Sequence, residues 1–242
     1  MIRRAKNASK ESQRSRMKKN QQPNLFPVED KISSGYEMLP SVWDGDDASL
    51  LERMLDFYPR KKPNHILDAT VNRGRFWIGS SRPVIGLDID PRYKPDVVAD
   101  NTRMPFADET FDVVIYDPPH IPNQGKDKVK DFRSRFGLGG KSPSKNGCNF
   151  THLFPPFLEE AYRILKKEGV LFCKIADYIH NHRYQWAHLE LIKAAEVIGF
   201  LPCDFIIKTR KGPIVDPKWK EAHHARRHHC YWIVFRKSKK CE

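Results

Sequence analysis

Short apolar segments that do not alternate with polar residues recur along this chain, and they restrict its fold more than any other feature. Each is four to six residues long and is bounded by polar residues, Pro or Gly, which is typical of buried strands. Helical patterns separate several of them, and strands that are apolar on both faces belong to parallel sheets with both faces covered. The pattern therefore predicts a mostly parallel α/β sheet with strands at 65–68, 83–88, 96–99, 111–116, 170–175, 203–208 and 230–235.

Three segments have the apolar spacing of amphipathic helices. The first begins at Asp47, with Ser49 or Asp47 as its possible cap, and ends before Pro59. The other two are predicted over 155–167 and 184–198. These helices would cover the sheet.

The chain is strongly basic, with 43 Lys and Arg against 30 Asp and Glu and a net charge of +13 over 242 residues. Residues 1–30 are polar and basic and predict a flexible arm, and residues 31–242 predict one α/β domain. Such a charge balance favours a polyanionic partner, usually nucleic acid. The alternative is that the cations only keep the surface soluble.

The sequence offers no signal for a membrane or for a metal. No apolar stretch approaches the ~20 residues of a membrane span, and the charged N-terminus lacks the apolar core of a secretory signal. We expect a cytoplasmic or nucleoid-associated location without a membrane partner. The five cysteines form no CxxC pair, and the histidine pairs 223–224 and 228–229 beside Cys230 match no common zinc spacing, so no metal is expected.

Acidic residues close three successive predicted strands. Residues 66–76 form a strand, a tight turn and a short helix start, where Gly74 would let the backbone approach a ligand. Asp88 stands twenty residues after Asp68, at the end of the next strand, where a carboxylate can accept both hydroxyls of a ribose. The pair 100–101 ends the third strand and could meet an adenine amino group. Singly, such residues can merely be polar strand ends; in this order they predict a nucleotide-cofactor pocket.

The run Asp117-Pro118-Pro119-His120 follows the apolar strand 111–116. Ligands of open α/β sheets bind at this carboxyl edge of the strands. A carboxylate and a proline-held carbonyl oxygen could together accept the two N–H groups of an exocyclic amine, while His120 stacks on the base. The plainer interpretation is that the prolines only stiffen a loop.

These features together resemble the class I S-adenosylmethionine-dependent methyltransferases over residues 36–237. Within that superfamily, 117–120 is similar to the D/N-P-P-aromatic signature of amino methyltransferases acting on adenine N6, cytosine N4 or guanine N2. Residues 229–237 resemble the last strand of DNA N4/N6 methylases. The resemblance implies a Rossmann-like class I methyltransferase fold, with a mostly parallel seven-stranded sheet, an antiparallel last strand and helices on both faces. Thr70 and Asn72 stand where the family usually has glycines, and His120 where it has Tyr, Phe or Trp.

The same resemblance implies S-adenosyl-L-methionine as the cofactor. Asp68 and Gly74 would line its methionine side, Asp88 would bind its ribose and Asp100 its adenine. The implied catalytic residues are Asp117, Pro118, Pro119 and His120. The complete set expected to bind the cofactor is Asp68, Ala69, Thr70, Gly74, Asp88, Ile89, Asp100, Asn101 and Asp117.

Two basic segments could face a substrate. The loop 121–149 carries seven Lys and Arg interleaved with Phe132 and Phe136, and a second basic region runs through 208–211 and 226–227. Cations of this kind would contact phosphates. The long loop could equally be a disordered insertion whose charges only solvate it.

The sequence thus predicts methyl transfer from S-adenosylmethionine to an exocyclic amino nitrogen of a nucleic-acid base. DNA adenine N6 or cytosine N4 is the first choice, because the closing strand resembles that group. The alternatives are an RNA methyltransferase acting on rRNA or tRNA, and a non-catalytic nucleic-acid-binding subunit.

Overall fold

A computed structural model describes residues 38–119, 151–180, 183–210, 221, 224–225 and 227–238. The described elements belong to one compact unit, Leu39–Glu242. The predicted arm 1–30 and the predicted loop 121–149 lie outside the described residues, so both stay predictions.

Within the described ranges, the main sheet has eight strands in the order β1-β9-β10-β6-β5-β2-β3-β4, and β7 and β8 form a separate hairpin. Their bounds are β1 Val42–Trp43, β2 Ile66–Asp68, β3 Val84–Asp88, β4 Val97–Val98, β5 Phe111–Tyr116, β6 Leu165–Ile175, β7 Tyr178–His180, β8 Arg183–Gln185, β9 Phe200–Thr209 and β10 His229–Lys237.

The sheet is parallel except where β10 meets its neighbours. Strands β2 to β6 pair in parallel, whereas β10 runs antiparallel to both β6 and β9. This confirms the predicted mostly parallel sheet with an antiparallel last strand. The predicted count of seven is one too low, because Val42 pairs with Ile207 and Trp43 with Lys208 at the edge of β9. Val42 and Trp43 lie between Ser41 and Asp44 and belong to no apolar run of four residues or more, so the strand pattern does not mark them.

Three α-helices lie within the described ranges: α1 Asp47–Phe57, α2 Phe154–Ile164 and α3 Ala187–Ile198. The cap of α1 is neither of the predicted residues but Asp46, whose Oδ1 accepts the Ser49 N–H at 2.8 Å. None of these helices is both long and apolar enough to cross a membrane.

Two predicted helix boundaries were wrong, and strand pairing is the reason for both. The helix expected to begin at 184 begins at Ala187, because Arg183–Gln185 pairs with β7 in the hairpin. The helix expected to reach 167 ends at Ile164, because the next residue, Leu165, pairs with Phe111 and starts β6.

The sheet has an apolar core on each face. Alternate residues of β5 point to opposite faces: Val114 and Tyr116 pack in one cluster, and Val113 and Ile115 in the other. Helices α2 and α3 cover the first cluster and α1 covers the second. The prediction of helices on both faces is confirmed. The carboxyl end of β5, which leads to Asp117, packs against apolar side chains on both faces of the sheet.

Candidate active site

The turn after β2 is held between its two neighbouring strands. The Ala69 N–H donates to the Ile115 carbonyl of β5 at 2.9 Å, and the Val71 N–H donates to the Leu87 carbonyl of β3 at 3.0 Å. Gly86 makes room for the turn, since a Cβ there would lie 3.0 Å from Val71 Cγ2. The turn therefore crosses β3 closely at the carboxyl edge of the sheet.

Asp68 anchors this turn from within the protein. Its Oδ1 accepts the Thr70 N–H at 3.0 Å, and its Oδ2 accepts the Trp77 indole N–H at 2.8 Å. The residue is 1% exposed, and this burial raises the pKa of Asp68 to about 7, even though both hydrogen bonds favour the charged form. Asp68, which was predicted to line the methionine side of the cofactor, thus stabilises the turn from the protein interior.

The raised pKa of Asp68 predicts a loss of stability as pH rises from about 4 to 7. In the folded protein Asp68 keeps its proton until the pH approaches a pKa of about 7, whereas in the unfolded chain it loses the proton near the ordinary pKa of 3.8. Between these two values the folded state binds more protons than the unfolded state, so raising the pH favours unfolding. Asp68→Asn removes the titration. Urea denaturation should therefore show the wild type losing on the order of 2 kcal/mol relative to the variant between pH 5 and pH 7. If the free energy of unfolding changed with pH in the same way for the wild type and for Asp68→Asn, the raised pKa of Asp68 would be wrong.

Asp88 meets the same turn from the end of β3. Its Oδ2 accepts the Asn72 N–H at 2.9 Å, and its Oδ1 accepts the Asp90 N–H at 2.9 Å. Asn72 and Gly74 adopt positive φ angles of 48° and 64°, a region that asparagine and glycine tolerate better than other residues. These two residues allow the compact turn.

The end of β4 is also tied to the turn. The Asn101 side-chain amide donates to the Ala69 carbonyl at 3.3 Å. Asp100 is exposed, and its Oδ1 accepts both the N–H and the hydroxyl of Thr102 at 2.8 Å. Ile89, beyond the end of β3, is 37% exposed. Of the predicted strand-end residues, Asp88 and Asn101 therefore contact this turn directly, whereas the hydrogen bonds of Asp100 are local.

Asp117 connects this turn with the end of β5. Its backbone N–H donates to the Thr70 hydroxyl at 2.7 Å, so the two predicted halves of the site are in contact. Pro118 is buried and Pro119 half-buried. His120 lies outside the described residues, so its stacking role stays a prediction.

A largely buried lysine, Lys174, which was not among the residues predicted from sequence, lies beside Asp117. The Lys174 Nζ atom is 2.9 Å from Asp47 Oδ2 and 4.0 Å from Asp117 Oδ2. Burial opposes its charge, but the Asp117 and Asp47 carboxylates outweigh burial and raise the pKa of Lys174. The Trp232 indole N–H donates to Asp47 Oδ1 at 2.9 Å and completes the cluster.

A cleft of about 900 Å³ opens over this arrangement. Of the residues predicted from sequence, Thr70 and Asp117 line it. Other lining residues are Asp47, Asn72, Arg73, Arg75, Phe76 and Lys174. The one available signal for Lys174 was a charged residue inside the apolar run 171–175; nothing in the sequence pairs it with Asp47.

Much of the second basic region falls outside the described residues, since 211–220, 222–223 and 226 are not described, whereas His224, His228, His229 and Cys230 of the zinc alternative are described. In the part of the chain that is described, no three His, Cys, Asp or Glu side chains gather into a possible metal site. His229, one of the histidines in question, has its Nε2 atom 3.0 Å from the Tyr231 hydroxyl.

No family model and no curated protein matches the sequence. Among solved structures, a candidate methyltransferase from Bacillus halodurans matches with a TM-score of 0.53 and 16% identity, over 81% of this chain and 100% of that chain. A chain in the complex between the Haloferax volcanii Trm112 methyltransferase activator and a candidate methyltransferase matches with a TM-score of 0.50 and 15% identity, over 79% and 90% of the two chains.

The chain has the Rossmann-like fold of the class I methyltransferases. TrmN from Thermus thermophilus also matches, with a TM-score of 0.46 and 17% identity over 78% of this chain, which spans 48% of the length of that protein. At these identities the likeness concerns the fold, so the chemistry has to be argued from the residues of the site.

Proposed function

We propose that this protein transfers a methyl group from S-adenosylmethionine to an exocyclic amino nitrogen of a nucleic-acid base, with DNA adenine N6 or cytosine N4 as the preferred target. One observation carries the proposal. Asp117, the carboxylate of the Asp-Pro-Pro run, borders the cleft and donates its backbone N–H to Thr70 in the turn after β2. An amine held at Asp117 would therefore lie next to a cofactor held by the turn.

The residues around the cleft suit the cofactor. Its volume of about 900 Å³ is ample for a nucleoside with an amino-acid arm. The turn 70–74, whose Thr70 and Asn72 line the cleft, would hold the methionine arm. Asp88 and Asp100 are not among the described residues that line the cleft; at the ends of the neighbouring strands they would take the ribose hydroxyls and the adenine amino group. When bound, S-adenosylmethionine supplies a methyl group on a positively charged sulfur.

Asp117 would orient the amine rather than ionise it. The lone pair of a base amino group is delocalised into the ring, and it becomes available when the Asp117 carboxylate and the Pro118 carbonyl each accept one N–H. Proline has a fixed φ angle and no N–H, so the two prolines keep that carbonyl in place. Alignment of this kind can lower a barrier by ~7–11 kcal/mol. On methylation, which breaks the bond between the methyl group and sulfur as the bond to nitrogen forms, the nitrogen would lose one proton, and the Asp117 carboxylate could accept it.

The net charge of +13 supports a polyanionic substrate. A target base within a duplex would have to be unpaired or flipped out before it reached Asp117.

Labelled cofactor tests the proposal directly. The protein is incubated with methyl-labelled S-adenosylmethionine and with duplex DNA, single-stranded DNA or structured RNA, and the product is digested to nucleosides. We expect label in N6-methyladenine or N4-methylcytosine of DNA. If label appeared only in RNA, the substrate would be RNA rather than DNA. Cofactor binding without label in any nucleic acid would reject the proposal.

A further inference from the structure

Six aromatic side chains lie together near the end of β6, and none of them belongs to the candidate site. We call them the aromatic surface; they are Tyr184, Trp186, His188, Phe205, His229 and Tyr231. Trp186 stands between β8 and α3. It is 54% exposed, whereas Tyr184 and His188 on either side of it are partly buried.

The rings contact one another in a continuous series. The Trp186 and Tyr184 ring centroids are 4.5 Å apart, and the His188 and Tyr231 centroids are 4.7 Å apart. Phe205 lies 4.8 Å from Tyr231. Trp186 is thus the exposed end of a packed aromatic group and has a rigid support behind it.

A buried carboxylate holds this group in position. Asp177 is 3% exposed and accepts hydrogen bonds from the hydroxyls of Tyr184 and Tyr231, at 3.1 and 3.4 Å. It also accepts the His188 backbone N–H at 3.2 Å and lies 2.7 Å from His188 Nδ1. A surface built in this way loses little side-chain entropy when a ligand binds.

The aromatic surface lies on the same edge of the sheet as Asp117. Strands β5 and β6 are parallel neighbours in which Tyr116 pairs with Cys173, so their carboxyl ends lie side by side. Asp117 directly follows Tyr116, and Asp177 stands two residues beyond Ile175, the last residue of β6. A strand of nucleic acid with one base at Asp117 would pass this edge.

The charges around the aromatic surface suit phosphate. The Arg227 Cζ atom lies 5.5 Å from the centroid of the Tyr184 ring. Arg183 and Arg210 are exposed on β8 and after β9. Aromatic faces interleaved with arginines are the combination that binds unpaired nucleic acid.

We infer that Trp186 stacks against an unpaired base of the substrate strand, outside the position of the methylated base. This rests on the proposed function for the identity of the substrate, but the binding it describes can be measured without methyl transfer. Every base has a flat aromatic face that can stack on an indole ring. The contact would therefore contribute to affinity with little preference for nucleotide sequence.

The test compares Trp186→Ala, Trp186→Phe and Phe57→Ala for binding of fluorescein-labelled dT12 and rU12 by anisotropy. Phe57 is 41% exposed on α1, which covers the other face of the sheet, and serves as the matched control. We expect Trp186→Ala to weaken binding of at least one oligonucleotide roughly tenfold or more. Trp186→Phe should remain within about threefold of the wild type, because it retains a stacking face.

Salt dependence separates stacking from charge. Trp186→Ala should leave the slope of log affinity against log salt unchanged, whereas Arg183→Ala should reduce it by about 0.7. Equal effects of Trp186→Ala and Phe57→Ala would overturn the inference, even if methyl transfer is demonstrated. Sedimentation gives a second check. If the wild type is a dimer and Trp186→Ala is a monomer, Trp186 contacts a second copy of the chain rather than a base, and the inference is overturned. A loss of binding confined to Trp186→Ala would support it, even if no methyl transfer is found.

Discussion

Replacing Asp117 with alanine is expected to reduce the rate of methyl transfer by at least about 100-fold. The carboxylate is the acceptor that would orient the amine, and alanine leaves that N–H without a partner. Affinity for S-adenosylmethionine should change by no more than about threefold, because the Asp117 contact with Thr70 comes from its backbone N–H, which alanine retains. Single-turnover rates and calorimetric titration of the cofactor measure the two effects.

Asp88→Ala is the counterpart that should show the reverse pattern. Its carboxylate is proposed to hold the ribose, so its loss should weaken cofactor binding about tenfold or more. At saturating cofactor the rate should recover most of its wild-type value. If Asp117→Ala retained wild-type turnover, the amine-binding role of the Asp-Pro-Pro run would be wrong.

Replacing Lys174 with methionine is expected to destabilise the protein by about 2–3 kcal/mol, because it leaves two half-buried carboxylates without their counter-charge. The Lys174 side chain is 13% exposed and lies 2.9 Å from Asp47 and 4.0 Å from Asp117. Methionine has a similar volume, so packing is largely preserved and the electrostatic loss dominates. Urea denaturation of wild type and variant gives the free energy of unfolding.

Two further variants test this explanation. Lys166→Met removes a lysine whose side chain is 37% exposed and whose Nζ is 2.8 Å from Asp112, and it should cost about 1 kcal/mol or less because solvent screens the pair. The double variant Asp47→Asn/Lys174→Met should recover part of the lost stability, since it removes one of the unpaired charges. Equal losses for Lys166→Met and Lys174→Met would contradict a buried electrostatic role.

Lys174 is also expected to act as a positioning residue for Asp117. If Lys174→Met folds, its methyl-transfer rate at saturating cofactor should fall while the cofactor affinity stays close to that of the wild type. A purely structural role would lower the amount of folded protein and leave the rate per folded molecule unchanged.

Much of the fold could be predicted from hydrophobic patterning. Strand β5 has the predicted bounds, and α1 begins at the predicted residue, because both segments bury strongly periodic or continuous apolar runs. Strand β1 and the β7–β8 hairpin were missed. None of these segments is an apolar run, so their strand partners decide their conformation.

Part of the candidate site could likewise be predicted from sequence, and part could not. The convergence of Asp68, Asp88 and Asp117 could be predicted, because parallel strands end at one edge of a sheet. The ion pair between Lys174 and Asp47 joins residues 127 positions apart. Local sequence carries no information about such a contact.

The sequence alone determined which residues end the strands, and therefore which chemical groups stand at the carboxyl edge of the sheet, since burial of apolar runs sets strand positions locally. Only the tertiary structure decided what surrounds those groups. Packing of α1 against the sheet brought Asp47 to Lys174, and Lys174 on β6 lies beside Asp117. Complete burial made Asp68 a support for the turn. Solvent exclusion and long-range contacts of this kind exist only once the chain has folded.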